Sequence, residues 1–209
     1  MRRWPPEQPI TPEEMPMRRF FALSLLCLGL SACGTTQLPM AYAPTVQPVV
    51  VARPVVALGT VTDQRQGGRE NPHWVGTIRD GFGIPMKRLE APAPVTEVVR
   101  QAFSDALAAR GMLAGATPRY TLSVVILQFD ANQYSRREAT VEFQVTLTSA
   151  GGQQVLSDRE RAYQVGGSLI TLSSGIFGSV EDLRAIALTT MNQAIDRILD
   201  KSSFAAALR

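Results

Sequence analysis

The chain has 209 residues, with 21 Lys and Arg against 18 Asp and Glu, two cysteines and one histidine. A single histidine excludes a histidine-rich metal site and leaves a serine triad only one residue to draw on. The near-balance of charge, with no Lys/Arg cluster interleaved with aromatics after residue 32, gives no phosphate-reading surface and excludes a nucleic-acid partner.

Residues 1–16, MRRWPPEQPITPEEMP, hold five prolines and the acids Glu7, Glu13 and Glu14. They read as an upstream extension, with translation starting at Met17. Arg18 and Arg19 then precede an apolar run from Phe20 to Leu30, 11 residues long, where a membrane-spanning helix needs about 20. Basic residues, a short apolar run and the small Ser31 and Ala32 are the layout of a cleaved export signal over residues 17–32. The pair Arg18-Arg19 followed by Phe21 hints at a twin-arginine signal, but the leucine-rich run suits the general secretory route better. A buried first helix ending in a free thiol is the competing reading.

The quartet Leu30-Ser31-Ala32-Cys33 resembles the bacterial lipobox. The resemblance implies that the Cys33 thiol carries diacylglycerol, that the signal is cut just before it, and that the new amino terminus is acylated, for example with palmitate. Removing residues 1–32 takes away four basic and three acidic groups, leaving 17 against 15. Cys27 goes with the signal, so the mature chain has no pair of thiols and no disulfide. Its domain must stand on its own core, for which about 155 residues suffice.

From residue 33 to 52 the chain carries no charge and is broken by Pro39, Pro44 and Pro48. It reads as an extended tether, able to reach about 60 Å from the lipid at about 3.1 Å per residue. Residues 53–209 form a single periplasmic domain. Val55–Thr62 is β-branched and apolar and predicts a strand. Gln66–Pro92 is rich in glycine and arginine, with Asp80-Gly81 a hairpin signal between VGTIR and FGIPM. Val95, Val98, Val99, Ala102, Phe103, Ala106 and Leu107 fall on one helical stripe, closed by Gly111. Tyr120–Phe129 is apolar at nearly every position. Thr140–Thr148 alternates, with Val141, Phe143, Val145 and Leu147 on one side. Gly151-Gly152 turns the chain into Gln154–Val165, whose Asp158, Arg159, Glu160 and Arg161 place it near an edge. The apolar loop Gly166–Ser179 leads to a helix capped by Ser179, with Leu183, Ile186, Ala187, Met191, Ala194, Ile195 and Ile198 on one face.

Strand, hairpin loop, helix, three strands and helix predict a two-layer α/β (α+β) sandwich. Its mixed sheet has about four main strands, with two helices on one face. The lipobox, GTVTDQR (59–65), VVRQAFSDALAARGM (98–112), YTLSVVILQFDA, the alternating strand and the last helix together resemble the YajG-like family of bacterial envelope lipoproteins. That resemblance implies an address in the envelope and a fold, and no catalytic residues. Gly34 rather than an acid follows Cys33, which implies sorting to the periplasmic face of the outer membrane.

Catalytic chemistry is thinly supplied. His73 reads as a surface or hydrogen-bonded residue, and Gly76, Gly81 and Gly83 lack the GK[ST] of a phosphate loop. Asp63 and Arg65 read as a turn with an exposed ion pair, with a ligand-binding pair as the alternative. Trp74, Phe82 and Met86 among Arg69, Arg79 and Arg88 form a candidate partner surface, because aromatics and arginine concentrate in binding hot spots, against the simpler reading that the long loop packs onto the sheet. Phe177 in the apolar loop joins Trp74, Arg79 and Phe82 as a candidate contact, with a cover over the open edge of the core as the equal alternative. No metal or cofactor site is expected. The expected function is a non-enzymatic, membrane-anchored binding or assembly module with an envelope protein partner and a monomeric folded domain. The alternative is an enzyme using carboxylates and arginine on cell-wall or lipid material.

Overall fold

The computed structural model describes residues 35–48, 55–168 and 179–209, all within one compact unit, Gly34–Arg209. The extension, the signal, Cys33 and Phe177 lie outside the described residues.

Strand β5 (Tyr120–Gln133) organises the sheet. It pairs antiparallel along its length with β6 (Arg136–Ser149), which pairs antiparallel with β7 (Gln154–Ser168). Leu122, Val124 and Ile126 are buried, and past a register shift between Ile126 and Gln128 so are Phe129 and Ala131. Opposite them Val141, Phe143, Val145 and Leu147 of β6 are fully buried, as their alternation predicts.

Two short parallel strands share the other edge of β5 end to end. β2 (Val56–Asp63) runs beside its first half, with Val56 opposite Tyr120 and Asp63 opposite Ile126. β3 (Trp74–Arg79) runs beside its last residues, with Gly76 opposite Ala131 and Ile78 opposite Gln133. β4 (Pro85–Glu90) folds back antiparallel on β3, and β1 (Thr35–Gln37) adds parallel to β4 at the margin. The sheet therefore has seven strands, in the order β1-β4-β3-β5-β6-β7 with β2 in tandem with β3. It is larger than the four main strands expected, because the arginine-rich segment after Gln66 supplies two strands of the sheet itself and Thr35–Gln37 supplies a third. The hairpin forms where Asp80-Gly81 signals it, with Asp80 N–H donating to Ile84 O at 3.0 Å. The glycine with positive φ is Gly83, at 86°.

Helix α1 (Val95–Ala109) buries the whole predicted stripe. It ends in a Schellman turn, with Gly111 at φ 66°, its N–H on Ala108 O and the Met112 N–H on Leu107 O. Ser179 caps α2 (Val180–Leu199) by accepting from Asp182 N–H. A short α3 (Ser202–Ala207), not foreseen, seats Phe204 in the core. The helices cover one face of the sheet. There the Phe103 and Phe143 rings meet edge to face at 5.4 Å. On edge strand β7, Asp158 and Glu160 turn toward the helices and each accepts from Lys201 Nζ at 2.8 Å. Inward charge on an edge strand discourages further pairing.

The expected tether over 33–52 is corrected in its first part. Thr35, Thr36 and Gln37 pair with Arg88, Leu89 and Glu90, Met40 is buried, and Tyr42 and Thr45 hydrogen-bond to Asp196. Uncharged residues with few side chains to solvate gain more from an unpaired sheet edge and a buried carboxylate than from free motion.

Candidate interaction surface

Past a register shift between Trp74 and Gly76, Thr77 of β3 is the neighbour of the buried Ile78 and pairs with Arg88 of β4, itself the neighbour of the buried Leu89. Thr77 and Arg88 therefore face the side of the sheet away from the helices. The connection between β2 and β3 folds over one end of this face, held by Asn71 Nδ2 donating to Glu90 Oε1 at 2.7 Å. A cleft of about 400 Å3 results, lined by Glu70, Asn71, Trp74, Thr77, Arg79 and Arg88 among others. Trp74 stands in it half-buried, its indole N–H donating to Thr77 Oγ1 at 3.1 Å. Arg79 Nη1 donates to Gly83 O at 3.0 Å. Cations and an aromatic wall suit a carboxylate-bearing segment. One residue along β5 from the rung that pairs Ala131 with Gly76 lies Asp130. Burial raises its carboxyl above the usual range against two contacts from Asn132 Nδ2, at 2.9 and 2.8 Å.

Trp74 and Arg79 thus meet as the sequence suggests, but Phe82 does not join them. It stands 91% exposed on the β3–β4 hairpin tip, with Ile84 and Met86 also exposed. Tyr134, from the turn between β5 and β6, completes this second group by donating its hydroxyl to Gly81 O at 3.2 Å. Sequence reading missed Tyr134; the turn signal beside it is Ser135.

Asp63 and Arg65 are neither an exposed turn pair nor a ligand site. Arg65 is 3% exposed. Its Nε and Nη2 grip both oxygens of Asp63, at 2.9 and 2.8 Å, while Nη1 donates to Trp74 O at 2.7 Å and Phe129 O at 3.3 Å. Phe129 lies in the gap where β2 has left β5 and β3 has not yet joined it. The guanidinium supplies the donor that the missing strand would have supplied.

A second buried arginine holds the N-terminal segment. Arg110 uses all five donors: Nε and Nη2 on Asp200, Nη2 also on Asp196 Oδ1, and Nη1 on Tyr42 Oη and Ala106 O. Asp196 in turn accepts from the Tyr42 hydroxyl and from Thr45 N–H and Oγ1. Burial works against the Asp196 charge, but these donors, with Thr45 and Tyr42 foremost, outweigh it and hold its pKa below the ordinary carboxylate range. Burial and the bond to Asp196 push Tyr42 up to about 12. Every partner is satisfied, so the cluster is a clamp. The spacing of Asp196 and Asp200 on one helix face was its only trace in the sequence.

His73 is half-buried and hydrogen-bonded, its Nδ1 3.0 Å from Ala91 O. Among the described residues no three His, Cys, Asp or Glu gather to hold a metal, and no helix is long and apolar enough to cross a membrane.

No family model matches the chain, and neither does any curated protein sequence. A Xanthomonas campestris protein of the DUF330 family shares the fold, with a TM-score of 0.56 at 14% identity over 83% of this chain and 96% of that one. PelC from Paraburkholderia phytofirmans, solved as a dodecamer, overlays at 0.41 with 14% identity, over 73% and 93% of the two chains. Lipoprotein GNA1162 from Neisseria meningitidis overlays at 0.26 with 10% identity, over 66% and 96%. At 14% identity the likeness to the Xanthomonas protein is one of fold alone.

Proposed function

We propose that the protein is a bacterial envelope lipoprotein, held by acylated Cys33 on the periplasmic face of the outer membrane, whose domain works as a non-enzymatic binding or assembly module. The observation that carries the address is Leu30-Ser31-Ala32-Cys33 closing an 11-residue apolar run directly before Gly34, where the compact unit begins. The features by which the chain resembles the YajG-like lipoproteins support the same address. The cleft supports binding: Trp74, Arg79 and Arg88 line it and offer charge and aromatic surface on the side away from the helices. Its partner is an envelope protein presenting acidic side chains, engaged by a monomeric domain.

Replacing Cys33→Ser and feeding a fatty-acid analogue tests the anchor. Label should vanish, and label that persists overturns it. Recovery of the wild type in the inner membrane overturns the sorting alone. For the cleft, Arg79→Glu with Arg88→Glu should abolish capture of the partner from membranes while thermal unfolding is unchanged. Undiminished capture overturns the assignment.

A further inference from the structure

We infer that the β3–β4 hairpin tip seats in the lipid leaflet beside the anchor, so that the domain lies on the membrane instead of standing clear of it; this rests on the acylation of Cys33 proposed above. β1 runs parallel to β4 with Thr35 opposite Arg88. The chain therefore enters the sheet close to the end at which β4 begins. Only Gly34 separates Cys33 from Thr35, two residue steps or about 7 Å of extended chain. From Arg88 back to Pro85 is about 10 Å, whereas β5, Tyr120–Gln133, runs about 43 Å from end to end at about 3.3 Å per residue. An anchor so tied cannot reach the far end of the sheet, where β6 turns into β7. It can reach the hairpin.

The hairpin end is also the end suited to lipid. Phe82 is 91% exposed, Met86 59%, Ile84 57% and Tyr134 50%. The Tyr134 hydroxyl bond to Gly81 joins the two neighbouring turns into one surface. Grouped exposed apolar side chains mark an interaction site, and an aromatic ring with a polar tip is the side chain favoured at headgroup depth. Arg79, Lys87 and Arg88 lie on the two strands behind the tip, at the level where anionic headgroups would sit. A partner protein or a second copy could also cover such a patch, but neither explains why the chain bearing the anchor joins the sheet at this edge and this end.

The mature chain has no cysteine besides Cys33, so a single introduced thiol takes a spin label cleanly. Full-length protein carrying Ile84→Cys or, at the opposite end, Val155→Cys is purified from membranes and reconstituted in vesicles of phosphatidylethanolamine and phosphatidylglycerol. Mass spectrometry of the Cys33 peptide reads the acylation separately. The expected result is an acylated peptide, a several-fold rise in the oxygen-to-nickel accessibility ratio at position 84 against position 155, and loss of that rise on Phe82→Asp. An acylated chain with both labels in water overturns the seating and leaves the lipoprotein reading intact. Spin–spin broadening at position 84 without depth assigns the patch to a second copy and overturns the seating as well. An unacylated Cys33 overturns both.

Discussion

Arg110, with no exposed surface, lies 2.9 Å from Asp196 across 86 residues of sequence, and the pair joins the end of α1 to the last turns of α2. Taking the guanidinium away leaves the buried Asp196 carboxylate with neutral donors but no countercharge, a loss of about 3–5 kcal/mol. Arg110→Ala should lower the urea midpoint accordingly, and Thr45→Ala should cost less, about 1 kcal/mol. Equal losses from the two would show that the ion pair is not the centre of the clamp.

The clamp also sets two pH limits. Asp196 has a folded pKa below its unfolded value, so its stabilisation is present above the unfolded carboxylate range and fades as pH falls through the folded pKa. Tyr42 has the opposite sense. Its pKa rises from 10.0 to about 12, so its stabilisation is complete below pH 10 and is lost as pH climbs toward 12. Stability measured against pH should show the alkaline loss in the wild type and a flatter limb in Tyr42→Phe.

Arg65 bridges a gap in the strand ladder as well as pairing with Asp63. Arg65→Ala should cost about 3–5 kcal/mol. Neutralising both partners, as Arg65→Met with Asp63→Leu, should recover only part of this, because Phe129 O stays without its donor at about 1–3 kcal/mol. Full recovery in thermal unfolding would show that the carbonyl contact adds nothing.

Gly76 marks the closest approach of β3 to β5. A Cβ there would lie 2.3 Å from Ala131 O and 3.0 Å from Ala131 Cβ, against main chain that cannot swing aside. Gly76→Ala is expected to cost about 1–3 kcal/mol, read from the denaturant midpoint, and to disturb the cleft through its neighbour Thr77.

Phe103 and Phe82 offer the plainest contrast between core and surface. Phe103→Ala removes a ring packed on Phe143 and should cost about 3–5 kcal/mol. Phe82→Ala at the open tip should stay within about 0.5 kcal/mol. Comparable losses would place the hairpin tip among the structural contacts.

Elements with a strong period were readable in advance. All seven residues of the Val95–Leu107 stripe are buried, as is the alternating set of β6, because a repeated face records one partner surface many times over. β3 and β4 were seen only as a hairpin signal, since one side of them stays open and admits Thr77, Arg79 and Arg88. β1 left no trace at all. Three pairs of main-chain atoms need no particular side chains, and Tyr42 and Thr45 meet a carboxylate more than 150 residues away. The role of Arg65 was hidden for a related reason: its partners are carbonyls, which every sequence has.

The same separation gives the clamp a place in time. A chain delivered amino terminus first presents Tyr42 and Thr45 at the outset, but their acceptor, Asp196, arrives only with the last 14 residues. Until then the leading segment has no partner at that site, and Arg110 waits beside it with its charge unmatched. Contacts so distant in sequence close late. The strap between the leading segment and the domain therefore fastens only after Asp196 has been delivered, so a chain cut short before Asp196 would lack its fastening.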